Sequence, residues 1–160
     1  MSRTFRVPLT ALAALGLLTS SAVAQQPTPA RIGPAPLSSA IQWHTEPSGL
    51  KWADMVVGQG PSPREGQVAV MHFTGWLPDN TQFDSSRTRK PFGFPVGSGQ
   101  VIKGWDEGVR TMKVGGKRRL IVPGNLAYGP KGLRNIIPPD ATLVFDIELV
   151  RIVDPPPAAK

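Results

Sequence analysis

Between Val101 and Met112 the chain reads Val-Ile-Lys-Gly-Trp-Asp-Glu-Gly-Val-Arg-Thr-Met, and its apolar residues at 101, 102, 105, 109 and 112 fall on one stripe at helical spacing. No other stretch outside the N-terminal leader carries a comparable helical pattern. The segments on either side alternate with period two, as half-buried strands do. One helix among several strands has an economical packing: a single antiparallel sheet curved over the helix, with Trp105 near the helix start facing it. An apolar hollow lined by both elements follows from that arrangement.

The 160 residues include 18 Pro and 17 Gly, more punctuation than one compact domain uses, so part of the chain is expected to lie outside the domain. The first 24 residues explain some of it. Arg3 and Arg6 precede an apolar run from Val7 to Leu18, and Ala22-Val23-Ala24 supplies the small residues of a cleavage site. This reads as a secretory signal peptide. The run is interrupted by Pro8 and falls short of the roughly 20 residues that span a bilayer. Export with cleavage near Ala24 places the mature protein in a periplasm or outside the cell.

Losing the leader removes two Arg and no acid, taking the formal charge from +7 to 18 − 2 − 11 = +5. Basicity suits nucleic acid, but export argues against that partner, and Lys117-Arg118-Arg119 is expected to be a solvated strand end. The absence of Cys removes thiol chemistry and Cys-ligated metals, and His44 and His72 are too few and too far apart in sequence to hold a metal. No cofactor is expected.

From Gln25 to Pro47 the chain carries Pro27, Pro29, Pro34 and Pro36 among small and polar residues, the composition of an extended tether. Residues 154–160, with three consecutive prolines, cannot continue a strand ladder and form a tail. The domain is therefore expected from Ser48 to Val153. Within it, strands are expected around Leu50 to Val57, Val68 to Trp76, Phe92 to Val96, Lys117 to Val122 and Thr142 to Ile152. Pro123 to Ala141 is a long Gly- and Pro-rich loop, a type that is usually functional.

Several chemistries fail on spacing. Gly97-Ser-Gly-Gln-Val-Ile puts Ile102 where a dinucleotide fingerprint needs its third Gly, no phosphate-binding Gly-Lys-Ser/Thr loop occurs, and no Ser sits in a nucleophile elbow. Asp106 and Glu107 are adjacent on the helix and point apart, and acids at a helix start are explained by its dipole. What remains is a collection of aromatic and aliphatic residues in stretches expected to converge: Phe73, Phe83, Phe92, Trp105, Tyr128 and Phe145, with Val101, Ile102, Ile136 and Ile137.

Met71-His-Phe-Thr-Gly75, Phe83-Asp-Ser-Ser86, Val101-Ile-Lys-Gly-Trp-Asp-Glu-Gly108, Ala127-Tyr-Gly129 and Ile136-Ile-Pro-Pro-Asp-Ala-Thr-Leu-Val-Phe-Asp146 together resemble the FK506-binding-protein (FKBP) family of peptidyl-prolyl cis-trans isomerases. The resemblance covers roughly Ser48 to Val153. It implies an α+β fold, a five- to six-stranded antiparallel sheet wrapped around one short helix, in agreement with the periodicity. It also implies a proline pocket. Trp105 would be its floor, Phe73, Phe92 and Phe145 its walls, and Val101, Ile102, Ile136 and Ile137 its rim. Phe83 and Asp84 would flank it, and Tyr128 would lean over it. The Ile102 N–H and the Tyr128 hydroxyl would hold substrate carbonyls, and Arg89 is expected to hold Asp84.

The implied activity is rotation about X-Pro bonds in unfolded or partly folded exported proteins, with macrolides of the FK506 type as implied inhibitors and no metal or cofactor. A binding module or periplasmic holdase using the same hollow is the alternative. Two departures from the family pattern bear on substrate choice: Phe stands at 73 where many members have Tyr, and Leu133-Arg134 alter the tip of the long loop. No helical dimerisation segment precedes Ser48, so a monomer is expected.

Overall fold

A computed structural model describes residues 33–155; the leader, its cleavage site, the first part of the tether and the end of the tail lie outside the described residues. In chain order the elements are β1 (His44–Thr45), β2 (Lys51–Val56), β3 (Val68–Trp76), β4 (Gln82–Ser85), β5 (Phe92–Pro95), α1 (Lys103–Arg110), β6 (Lys117–Val122) and β7 (Leu143–Val153). The strands form one antiparallel sheet in the order β1-β2-β6-β7-β3-β4, with β5 also paired to β3. The architecture is the expected sheet around one helix. It has seven strands because β1 is added at one edge, while β4 and β5 take successive halves of the other edge of β3.

Along β3 the alternation delivers Ala69, Met71 and Phe73 into the core, where they meet Trp105, Val109 and Met112 from the helical stripe and Leu120, Phe145, Ile147 and Leu149 from β6 and β7. The helix is shorter than its sequence pattern. Ile102 is its N-cap in extended conformation (φ −57°, ψ 143°), so Val101 and Ile102 precede the helix. The helix lies very close to β6. A Cβ at Gly104 would stand 2.4 Å from Val122 Cγ1, and one at Gly108 would stand 2.8 Å from both Cδ atoms of Leu120. Glycine at these two positions permits the approach, in spite of its cost of about 1 kcal/mol in a helix interior.

Two expectations are corrected here. The basic run on β6 is not a solvated strand end, because Arg118 and Arg119 are only 2% and 6% exposed. Arg118 pairs with Asp54 through Nε (2.7 Å) and Nη2 (2.9 Å), donates to the Gly108 carbonyl and Thr111 Oγ1, and lies 3.7 Å over the Trp52 ring. It thereby ties the C-terminal end of α1 to β2. Arg119 pairs in the same two-pronged way with Asp146 across the β6–β7 ladder. Such planar, doubly bonded pairs are what allow Arg to be buried.

The second correction concerns where packing begins. His44 and Thr45 pair with β2, and His44 stacks on Trp52 with ring centroids 4.0 Å apart. Glu46 accepts the Trp52 indole N–H at 2.8 Å, and Arg119 Nη1 donates to the Ala35 carbonyl at 2.6 Å. Ala35 and His44 to Glu46, upstream of Ser48, thus make contacts with the sheet, because Arg119 and Trp52 offer them partners there.

Candidate active site

The hollow between the sheet and α1 has a volume of about 590 Å³. Its base is Trp105, 7% exposed, placed one turn into the helix so that its ring meets β3 and β7. Aromatic rings meet it edge to face: Phe73 at 4.8 Å, Phe145 at 5.1 Å and Phe92 at 5.9 Å between centroids. Phe83 meets Phe145 edge to face at 5.7 Å. These offset and perpendicular contacts are the favoured arrangements for aromatic rings, each adding about 0.5–1.5 kcal/mol beyond burial, so the walls are held rigidly. Gly75 is needed for this closure, since a Cβ there would come within 2.7 Å of Phe83 and 2.8 Å of Phe145.

Polar groups line the hollow beside these rings. Tyr128 is held by the long loop between two short helical turns, Gly124–Leu126 and Gly129–Lys131. Burial, and secondarily the nearby negative charge of Asp84, push its phenol above the ordinary tyrosine range, so it remains a hydroxyl donor. Asp84 accepts the Ser85 N–H at 2.8 Å and an Arg89 Nη2 hydrogen bond, while Arg89 also donates twice to the Ser85 carbonyl, at 2.7 and 3.1 Å. The Arg89 side chain is 59% exposed and that of Asp84 45%, so this pair positions more than it stabilises. Ile102, outside the helix, leaves its own N–H free of the helical ladder at the pocket rim. Trp105 Nε1 is buried and has no hydrogen-bond partner among the described residues.

Among the described residues no group of three His, Cys, Asp or Glu could hold a metal ion. The arrangement offers an aromatic-walled hollow with hydrogen-bonding groups among its lining. Residues 60–150 match the model of the FKBP-type peptidyl-prolyl cis-trans isomerase family. The chain belongs to that family. It is 53% identical over 115 residues to FK506-binding protein 4 of Dictyostelium discoideum, covering 72% of this chain and 30% of that one. It is 46% identical over 106 residues to the peptidyl-prolyl cis-trans isomerase Fkbp12 of Drosophila melanogaster, covering 65% and 98%. Among solved structures, FkpA from Escherichia coli aligns with a TM-score of 0.67 and 38% identity over 74% of this chain and 54% of that one. The chain therefore spans under a third of the Dictyostelium relative and nearly the whole of the Drosophila one.

The hollow gathers most of the residues expected from sequence. Phe73, Phe83, Asp84, Arg89, Phe92, Val101, Ile102, Trp105, Tyr128 and Phe145 all line it. Ile136 and Ile137 do not. Ile137 is 1% exposed and belongs to the core, while Ile136 is 54% exposed on the loop. The reason is local. Ile137 is pinned by the Leu133–Ile137 bridge and by the close approach of Gly132, where a Cβ would meet the Ile137 carbonyl at 2.3 Å, so its neighbour turns to solvent. Ser86, Lys90, Pro91 and Gln100 also line the hollow and were not anticipated. Ser86 is legible afterwards, because its hydroxyl accepts the Phe73 N–H at 2.9 Å and fixes the β3 wall.

Proposed function

We propose that this hollow is the catalytic site at which the chain accelerates rotation about X-Pro bonds in exported, unfolded or partly folded proteins, acting as a monomer. The observation that carries the reading is the Trp105 floor with three aromatic rings set edge to face on it, in a hollow also lined by Asp84, Arg89 and Tyr128. Rotation faces a barrier of about 18–20 kcal/mol because twisting the amide breaks its resonance. The twisted amide has a smaller carbonyl dipole, and water stabilises the planar form more. A pocket that strips water from the amide and grips the proline ring favours the twisted state, and each 1.36 kcal/mol of preference is about tenfold in rate. The step makes and breaks no covalent bond and moves no proton.

In this reading the Ile102 N–H and the Tyr128 hydroxyl hold the carbonyls flanking the rotating bond, and Phe73, Phe83, Phe92, Val101 and Phe145 enclose the ring. The Asp84 carboxylate, oriented by Arg89, borders the rotating group. Export, read from Arg3, Arg6 and Ala22-Val23-Ala24, gives such an activity a task, because uncatalysed isomerisation takes about 10–100 s and limits folding. Macrolides of the FK506 type are proposed ligands of the same hollow, supported by relatives named for binding FK506. A protease-coupled assay on a proline tetrapeptide series tests the proposal. The isomerisation rate is expected to rise in proportion to added protein, whereas a holdase or pure binding module would leave it unchanged.

A further inference from the structure

The rim of the pocket is electrically lopsided. Among the described residues its only acid is Asp84, whose charge is already met by Arg89, and Arg89 is further committed to the Ser85 carbonyl through Nε and Nη2. Lys90 follows Arg89, lines the same hollow, is exposed, and has no carboxylate within ion-pair distance among the described residues. The exposed Lys131 and Arg134 lie on the loop that carries Tyr128, and neither is ion-paired among the described residues. Of the two cations that line the hollow, Lys90 is therefore the one without an ion-pair partner among the described residues. Lys90, Pro91 and Gln100 line the same hollow and present a positive charge and amide hydrogen-bonding groups beside its apolar wall.

We propose that Lys90 is a specificity residue that favours substrates carrying a carboxylate side chain directly next to the proline in sequence. A proline ring seated on Trp105 brings its flanking residue to the rim, where an acidic side chain meets Lys90 with no competing anion. An exposed ion pair of this kind contributes modestly and is screened by salt, so the preference is about two- to fivefold at low ionic strength. It resides in kcat/KM, because a flanking contact holds the ground state and the twisted state alike.

The inference rests on the isomerase reading, and one experiment separates the two. The kcat/KM for isomerisation is measured on matched peptides with Glu or Gln immediately before, or immediately after, the proline, at roughly 0.01 M and 1 M salt. Failure to accelerate the Gln peptides would overturn the isomerase reading itself. Given that acceleration, the expected result is a Glu-over-Gln ratio of about two to five at one of the two positions, falling toward one at high salt. Lys90→Gln brings that ratio to one at low salt, and Arg110→Gln, a cation outside the hollow, leaves it at the wild-type value. A ratio at or below one at both positions, or an equal fall in both variants, would overturn the assignment to Lys90.

Discussion

Gly104→Ala is a substitution that ordinarily stabilises a helix and here is expected to damage both fold and activity. The methyl group gains about 1 kcal/mol in helix propensity. It also lands 2.4 Å from Cγ1 and 3.0 Å from Cγ2 of Val122, against an ordinary carbon contact of about 3.5–4.0 Å, so the helix must retreat by roughly 1 Å. Val122 is fully buried and β-branched, with little rotamer freedom to move aside. Overpacking of this kind costs about 1–3 kcal/mol, which outweighs the propensity gain and leaves a net loss of up to about 2 kcal/mol. Trp105 is the next residue, so the same retreat displaces the pocket floor, and a 1 Å misplacement is worth up to about a hundredfold in rate.

Gly108→Ala is the internal control. Its methyl meets the ends of the flexible Leu120 side chain at 2.8 Å, with the same propensity gain, and stability is expected to stay within about 1 kcal/mol of wild type. Urea unfolding and kcat/KM on a proline tetrapeptide are the assays. In Gly104→Ala/Val122→Ala the removed γ-methyls make room, and activity is expected to recover. Equal stability and full activity in Gly104→Ala would refute the close helix–sheet packing and its coupling to the floor.

Three further expectations follow from the site and its surroundings. Phe73→Tyr adds at most one hydrogen bond near Asp84 and is expected to change kcat/KM by less than about tenfold, while Asp84→Leu lowers it by more; the peptide assay of both variants compares them. Because burial and Asp84 hold the Tyr128 phenol above its usual value, the hydroxyl donor persists, so kcat/KM is expected to show no Tyr128 titration below about pH 10; a profile with an inflection near neutrality that Tyr128→Phe abolishes would contradict this. Truncation to Ser48–Val153 is expected to leave isomerase activity but to lower stability by more than about 1 kcal/mol in urea unfolding, since Trp52 loses the His44 stack and the Glu46 acceptor and Arg119 loses the Ala35 carbonyl.

The helix, the main strands and the convergence of ten of the twelve anticipated residues on one hollow were legible in sequence because each rests on a local pattern. The 3.6-residue stripe around Trp105 and the two-residue alternation of β3 fix which side chains face inward. Contacts set by distant pairing were not legible. Arg118 and Arg119 look solvated in a basic run, and only the antiparallel register with Asp54 and Asp146 buries them. His44 enters the sheet because Trp52 offers it a ring to stack on, a partner eight residues away across a turn. Ile136 and Ile137 are equivalent as letters, and the Leu133–Ile137 bridge sends one into the core and the other to solvent. Lys90 carries no pattern at all, and its place at the rim follows from β5 pairing back onto β3.

The central claim is that the apolar floor itself favours the twisted amide, and Trp105→Leu tests it most directly. Leucine keeps an apolar side chain on the helix but removes the ring on which Phe73, Phe92 and Phe145 are set. The isomerisation rate of a proline tetrapeptide is measured beside the unfolding transition, under conditions where the variant is fully folded. The account predicts a folded variant whose kcat/KM falls by about tenfold or more. A folded Trp105→Leu protein with wild-type kcat/KM would contradict it.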